Sequence, residues 1–322
     1  MVSEHELLNA RATPDLLRII SDSEFLVLDR DNRIDEKIPF SEFPKNFGTP
    51  VIGDNVFVRI GGTGNAEQVL EFRPTKNPTS SWEIRTDDLA EPNEIINFDD
   101  QLGGEIGAFN FDGTSFLLPV TRITTVNSTT TTRDRLFILF NVKLDASTFN
   151  ITDISVETRI EIPSISFDPG SVSSIRSEAG NFLVASINGA FRIDRNARVQ
   201  QISPAWTLDF FRFGSDIYAT SFSANQLFVS DDNGTTWEQS TISSELGLVK
   251  VTGLELVTQF QGGSIFETPI DDNNPFEVAE MRLNPELENQ IGLYNIFEFF
   301  NGNYYLSVGK ELYFAPEIVV VE

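Results

Sequence analysis

Apolar residues in this chain mostly alternate with polar ones or gather in short runs, and helical periodicity is rare. The clearest runs are Glu24-Phe25-Leu26-Val27-Leu28, Asn55-Val56-Phe57-Val58, Leu136-Phe137-Ile138-Leu139-Phe140 and Asn303-Tyr304-Tyr305-Leu306. They are rich in Val, Ile, Thr and Phe, and Gly, Asn, Asp and Ser separate them, which is strand-and-turn composition. Helical turns are expected only near Glu4–Ala12 and Pro285–Gln290. The pattern predicts an all-β protein.

Lining up the turns exposes a repeat of apolar strand, tight turn and apolar strand. The turns fall at Ser23, Gly53, Gly113, Gly180, Gly214, Gly263 and Gly302, at successive gaps of 30, 60, 67, 34, 49 and 39 residues. The mean, about 46, is close to one four-stranded propeller blade. The expected fold is therefore a β-propeller of seven four-stranded antiparallel blades, with six and eight blades as the neighbouring counts. A pair of β-sandwiches would not account for one unit running the whole length. Residues 15–322 are expected to form a single propeller domain. Residues 1–14 form an N-terminal segment, and either Leu7–Ala10 or Glu317–Val321 would pair into the last blade. The best unit runs from Thr207 to Thr241, with strands at Leu208–Phe213, Asp216–Ser221, Gln226–Val229 and Thr236–Thr241.

Composition then removes chemistries. There is no cysteine, so disulfides, thiolate metal sites and cysteine nucleophiles are absent, and the lone histidine, His5, lies in a polar N-terminal stretch. The net charge of −25 argues against nucleic acid or an anionic membrane surface as partner. Forty per cent hydrophobic residues supports a packed globule. Lysine is sparse beside arginine, 6 against 17, as suits a salty or extracellular setting and equally an ordinary acidic bacterial protein. No stretch approaches the roughly 18 apolar residues of a membrane helix, so direct membrane insertion is not expected. Met1-Val2-Ser3-Glu4-His5-Glu6 is not a cationic leader. The expected location is extracytoplasmic, in the periplasm or at the cell surface, with the signal sequence missing from this chain.

One motif can be named. Ser230-Asp231-Asp232-Asn233-Gly234-Thr235-Thr236-Trp237 resembles the Asp-box, or BNR repeat, and matches it at Ser230, Asp232, Gly234, Thr236 and Trp237. Weaker copies are Thr75–Trp82 and Asp271–Phe276. Ser230 and Asp232 can bond backbone donors in a tight turn, Gly234 admits a positive φ, and Trp237 buries a large ring. The resemblance implies a fold staple between a blade's third and fourth strands. Calcium or glycan binding through Asp231 and Asp232 is the competing reading. Asp-boxes occur in sialidases, sortilin-type receptors, photosystem assembly factors and many bacterial propellers. Phe191-Arg192-Ile193-Asp194 approaches the sialidase Phe-Arg-Ile-Pro motif, but it lies mid-chain, lacks the proline and puts Arg192 on a third strand.

Innermost strands are expected to carry Arg18, Asn110, Arg176, Arg212, Glu255 and Glu298 near the axis. Such arginines and glutamates could hold a carboxylate or perform glycosidase acid/base work; a water-filled channel of compensating charges is the plainer reading. Second-to-third-strand loops are expected at Gly61–Asn65, Thr121–Thr132, Ser221–Asn225 and Val308–Lys310, with Thr124–Thr132 extending a hairpin. Asp29-Arg30-Asp31-Asn32 lacks the glycine and distal glutamate of a calcium loop and reads as a hairpin turn. No catalytic set, metal site or cofactor motif emerges. The functional expectation is a non-catalytic scaffold for protein binding or assembly. A carbohydrate-active enzyme or glycan-binding module built on the axial arginines and glutamates is the alternative.

Overall fold

The structure is a computed structural model that describes the chain except residues 1–5, 14, 40–45, 63–67, 99–113, 128–129, 166–170, 214, 222–225, 244–247, 253–254, 260–264, 270–278, 282–295, 309 and 317–322. The described residues form seven antiparallel sheets, each a meander of consecutive strands. The first holds β1 (Leu7–Ala12), β2 (Leu17–Ser21), β3 (Glu24–Leu28) and β4 (Ile34–Pro39). The second holds β5 (Asn46–Ile52), β6 (Val56–Gly62), β7 (Gln68–Pro74) and β8 (Trp82–Arg85), followed by the single-turn helix α1 (Thr86–Leu89). The third holds β9 (Glu94–Asn97), β10 (Ser115–Asn127), β11 (Thr130–Leu144) and β12 (Ile151–Glu161). The fourth holds β13 (Val172–Glu178), β14 (Asn181–Ser186), β15 (Gly189–Ile193) and β16 (Val199–Ser203). The fifth holds β17 (Thr207–Phe213), β18 (Asp216–Ser221), β19 (Gln226–Ser230) and β20 (Glu238–Ser243). The sixth holds β21 (Leu248–Thr252), β22 (Glu255–Gln259), β23 (Ile265–Pro269) and β24 (Ala279–Met281). The seventh has three strands, β25 (Phe297–Phe300), β26 (Asn303–Val308) and β27 (Glu311–Pro316).

Two compact units contain these sheets: residues 40–207 form one, and residues 1–39 with 208–322 form the other. Within the 40–207 unit, the middle of the third sheet is buried on both faces. Leu136, Ile138 and Phe140 enter a core with Val58, Leu70 and Phe72 of the second sheet. Phe137 and Leu139, pointing the other way, enter a core with Phe182, Val184 and Phe191 of the fourth. This is why Leu136–Phe140 is an unbroken apolar run: neither face of that stretch meets water. The second sheet is polar on its far face. There Arg59 Nε donates to Glu71 Oε2 at 2.5 Å and Arg73 Nη2 to Glu71 Oε1 at 2.6 Å, all three side chains being buried.

In the other unit the first and seventh sheets share a core of Leu7, Leu17, Ile19 and Leu26 with Ile296, Phe300, Tyr305 and Leu312. Tyr305 donates its hydroxyl to Asn32 Oδ1, and Asn301 Nδ2 donates to the Arg30 carbonyl at 2.5 Å, tying the two sheets' turns together. Leu7–Ala12 is a strand, not the expected helical turn, and it pairs with β2 rather than with the seventh sheet. Its buried residues Leu7 and Ala10 sit three apart because the register slips between Leu7 and Asn9, a bulge that imitates helical spacing. The other expected helical turn, Pro285–Gln290, and the C-terminal closing segment Glu317–Val321 lie outside the described residues.

Turn placement divides the predicted repeat. Gly180 and Gly302 lie between first and second strands, where Ala179 and Gly180 have φ of 48° and 80°, and Asn301 and Gly302 have 50° and 73°. Both central residues being left-handed is the two-residue hairpin signature. A Cβ on Gly180 would lie 2.8 Å from Arg195 Nη2. Ser23 instead joins the second strand to the third. Ahead of it, β1 and β2 meet through a turn without glycine, in which Thr13 N–H donates to the Leu16 carbonyl at 2.8 Å.

Candidate functional site

The third sheet departs from the others in size. Its second and third strands have 13 and 15 residues and its outer strand 11, whereas no strand of another sheet exceeds 7 among the described residues. The register pairs Thr124 with Thr132 and Thr125 with Thr131, so the threonine-rich stretch extends a hairpin as its sequence predicts. The β10–β11 pair carries four basic residues (Arg122, Arg133, Arg135 and Lys143) against one acid, Asp134, in a chain of net charge −25.

Cross-strand register assembles a network at the base of this extension. Arg122 is opposite Asp134 and takes its carboxylate in a fork, with Nε to Oδ1 and Nη2 to Oδ2 both at 2.8 Å. The same guanidinium reaches Glu161 Oε1 at 2.7 Å and Glu94 Oε1 at 3.6 Å. Arg159 holds Glu91 and Glu94 at 2.6 Å each. The Asp134 hydrogen bond, followed by that of Glu161, raises the Arg122 pKa against the opposing effect of burial. For Glu94, burial disfavours the charge, yet the Arg159 and Glu91 backbone hydrogen bonds and both guanidinium charges outweigh it and hold its carboxyl below the ordinary value.

Beside the network lies a cavity of about 190 Å³, lined by Arg122, Asp134, Arg135, Glu161, Ile162, Pro163 and Ile165. Arg135 is 2% exposed, and its Nη2 donates to Ser171 Oγ at 3.3 Å. None of these residues stood out in the sequence, where Arg122 and Asp134 are 12 positions apart and Arg159 and Glu94 are 65 apart. Only the length of the threonine-rich insertion pointed here. Exposed apolar residues flank the site: Ile95 is 55% exposed, Val126 61% and Val156 44%.

The residues singled out by sequence lie elsewhere. Arg176, Arg212 and Glu298 are on leading strands β13, β17 and β25, while Arg18 and Glu255 are on second strands β2 and β22. Arg212 donates from Nη1 to the Ser215 carbonyl at 2.8 Å and from Nη2 to Asn233 Oδ1 at 3.1 Å, which ties it to the Asp-box turn. Glu298 is 8% exposed. Asn110 is outside the described residues. Among the described residues no group of acids or histidines has the arrangement of a metal site, and no helix is long and apolar enough to cross a membrane.

The Ser230–Trp237 turn, which resembles an Asp-box in sequence, joins β19 to β20, the third and fourth strands of its sheet. Ser230 Oγ donates to Asp232 Oδ1 at 2.9 Å and accepts the Gly234 N–H at 2.8 Å. Asp232 accepts the N–H groups of Thr235 and Thr236 and the Thr236 hydroxyl. Trp237 Nε1 donates to the Gly234 carbonyl at 3.1 Å, and its ring lies edge-on to Phe210. Both Asn233 and Gly234 have positive φ, 60° and 83°. Aspartate turns of simpler form, accepting backbone N–H groups at other spacings, occur between the third and fourth strands of other sheets. Asp29 accepts the N–H groups of Asp31 and Arg33, Asp194 those of Asn196 and Arg198, and Asp145 those of Ser147 and Thr148. Thr75–Trp82 also spans a third-to-fourth turn; Asp271–Phe276 lies outside the described residues.

The Thr236 N–H and hydroxyl, with help from Ser230 and Thr235, lower the Asp232 pKa to about 2. A depressed carboxylate contributes stability that is whole above its unfolded pKa, about 3.9, and lost as pH falls through the folded one. Asp232→Asn is therefore expected to remove part of the fall in Tm between about pH 4 and 2. Thermal melts of wild type and variant across that window check this.

No family model matches the chain, and no curated protein matches it. Among solved structures, it is similar to PorZ, an essential bacterial surface component of the type-IX secretion system of Porphyromonas gingivalis. That similarity has TM-score 0.49 and 10% identity over 99% of this chain and 38% of the other, so the chain spans well under half of that protein. BamB from Moraxella catarrhalis matches at TM-score 0.46 and 11% identity, over 95% of this chain and 83% of its own. The Neurospora crassa Pan2 WD40 domain matches at TM-score 0.50 and 12% identity, over 96% of this chain and 88% of its own. WD40 domains are propellers of four-stranded blades. With that fold-level match and consecutive four-stranded antiparallel meanders, the chain is an all-β protein with the β-propeller fold.

Proposed function

We propose that the chain is a non-catalytic, protein-binding β-propeller, and that its partner is met by the enlarged third sheet. The observation that carries this is the 13- and 15-residue hairpin with its 11-residue outer strand. Such an extension is longer than a blade core requires; it carries exposed Val126 near its tip, and Ile95, opposite Ile123, is exposed on the adjoining strand. Projecting loops and hairpins on a rigid scaffold are where binding concentrates. The seven consecutive sheets support a single domain of seven blades, and the recurrent aspartate turns support kinship with Asp-box propellers. The acidic, cysteine-free composition supports an extracytoplasmic setting.

A photo-crosslinking residue at Val126 is expected to trap one discrete protein in cells that make the chain. The same residue at Val199, equally placed on a strand but 39% exposed on the fourth sheet, should trap none. The trapped protein, once purified, should bind wild type and lose binding to the Val126→Asp, Ile95→Asp double variant. Equal trapping at both positions would overturn the assignment. So would turnover of aryl glycosides or sialosides abolished by Glu298→Gln or Arg212→Ala.

A further inference from the structure

We infer that the cavity beside Glu161 receives a lysine or arginine side chain from an extended segment of the partner, which adds as a short strand to the outer edge of β12. This rests on the protein-binding reading and names the chemistry of the partner. β12 ends its sheet, and among the described residues no strand pairs with its other side. Its 11 residues exceed the 6 of β4, 4 of β8, 5 of β16 and 6 of β20. Sheets guard against edge pairing by keeping outer strands short, whereas a long one leaves a row of backbone donors and acceptors open to an added strand.

The register marks where pairing would occur. Opposite Leu139 and Phe140, β12 carries an extra residue, Glu157, whose bulge interrupts the ladder. Beyond it Thr158, Arg159, Ile160 and Glu161 pair regularly with β11, and this stretch ends at the cavity. A strand added here would run alongside Glu161, which lines the cavity.

The cavity selects the side chain. At about 190 Å³ it is smaller than the roughly 300–1,000 Å³ that takes a drug-sized ligand, and so suits one long side chain. Ile162, Pro163 and Ile165 offer an apolar wall for an aliphatic stem. Asp134 and Glu161 stand at the mouth with side chains 42% and 57% exposed, so both keep acceptor positions outside the Arg122 fork. Around the site the carboxylates of Glu91, Glu94, Asp134 and Glu161 outnumber the guanidiniums of Arg122, Arg135 and Arg159, and Glu157 adds negative charge along the strand, Asp153 being paired with Lys143 at 2.9 Å. A cation is favoured over an anion, and the chain's overall charge of −25 steers it inward.

Panning a library of random 12-residue displayed peptides against the full chain tests this. Selected peptides, fluorescein-labelled, are then titrated by anisotropy against wild type, Glu161→Lys, Glu161→Gln and Glu157→Lys. The expected peptides carry Lys or Arg among β-branched residues and bind Glu161→Lys about tenfold more weakly or worse. Replacing their basic residue by leucine should cost as much, Glu161→Gln less, and Glu157→Lys about twofold at most. Far-ultraviolet circular dichroism confirms that each variant is folded. Peptides without a basic residue, basic peptides indifferent to Glu161→Lys, or no selected peptide at all would each overturn the inference. If trapping from Val126 persists in those cases, the third sheet still binds protein by other chemistry. Loss of trapping overturns the wider reading instead.

Discussion

Replacing Glu71 by alanine is expected to destabilise the protein by about 3–5 kcal/mol, the cost of stranding a buried charge without its partner. Glu71 is 3% exposed and spends each carboxylate oxygen on a different arginine, Arg59 at 1% and Arg73 at 5%. Arg73 also donates from Nη1 to the Pro78 carbonyl at 2.5 Å, which fixes the turn between β7 and β8. Alanine would take from two buried guanidiniums the carboxylate they share. Glu71→Gln keeps shape and one acceptor and should lose less. Replacing all three residues together by apolar ones of similar volume should recover most of the loss, because the arginines' desolvation disappears along with the pair. Urea unfolding of the four proteins, read as midpoint shifts at constant m, measures this. A loss under about 1 kcal/mol for Glu71→Ala would mean that water reaches the arginines, as in an exposed pair.

The fold was legible where side chains act locally. Strand boundaries in the unit Thr207–Thr241 agree with β17, β18 and β19 to within a residue at each end, since apolar runs and turn residues alone define them. The fourth strand begins at Glu238, two residues later than expected, because Trp237 closes the Asp-box turn. The turn Ser230–Trp237 was readable because its bonds fall within four residues. Repeat phase was less readable. A glycine or serine turn looks alike whether it joins first to second strands, as Gly180 does, or second to third, as Ser23 does. The residues expected near an axis share that ambiguity of phase, which is why Arg18 and Glu255 lie one strand further along than Arg176, Arg212 and Glu298. The network on the third sheet was invisible for a different reason. Arg122 meets Asp134, Glu161 and Glu94 only through the registers of β9–β12, and register is a tertiary property.

Next to Glu71 on β7, but on the opposite face, Phe72 gives the second large effect. Phe72→Ala is expected to cost about 3–5 kcal/mol through lost burial and the cavity left behind. The ring is 1% exposed and central to the core shared by the second and third sheets. It stands edge-on to Phe116 at 5.5 Å and 85°, and tilted to Phe140 at 5.9 Å. Both neighbours belong to long strands of the third sheet, which are held on their other side by a separate core and so have little freedom to close over the gap. Phe72→Leu keeps most of the volume and should cost roughly half as much or less. Because Glu71 and Phe72 act on opposite faces with no shared partners, the double alanine variant should lose close to the sum of the single losses. The two faces of one strand would then be stabilising two different layers independently. A double variant much less destabilised than that sum would show instead that losing the ion cluster already loosens the Phe72 core.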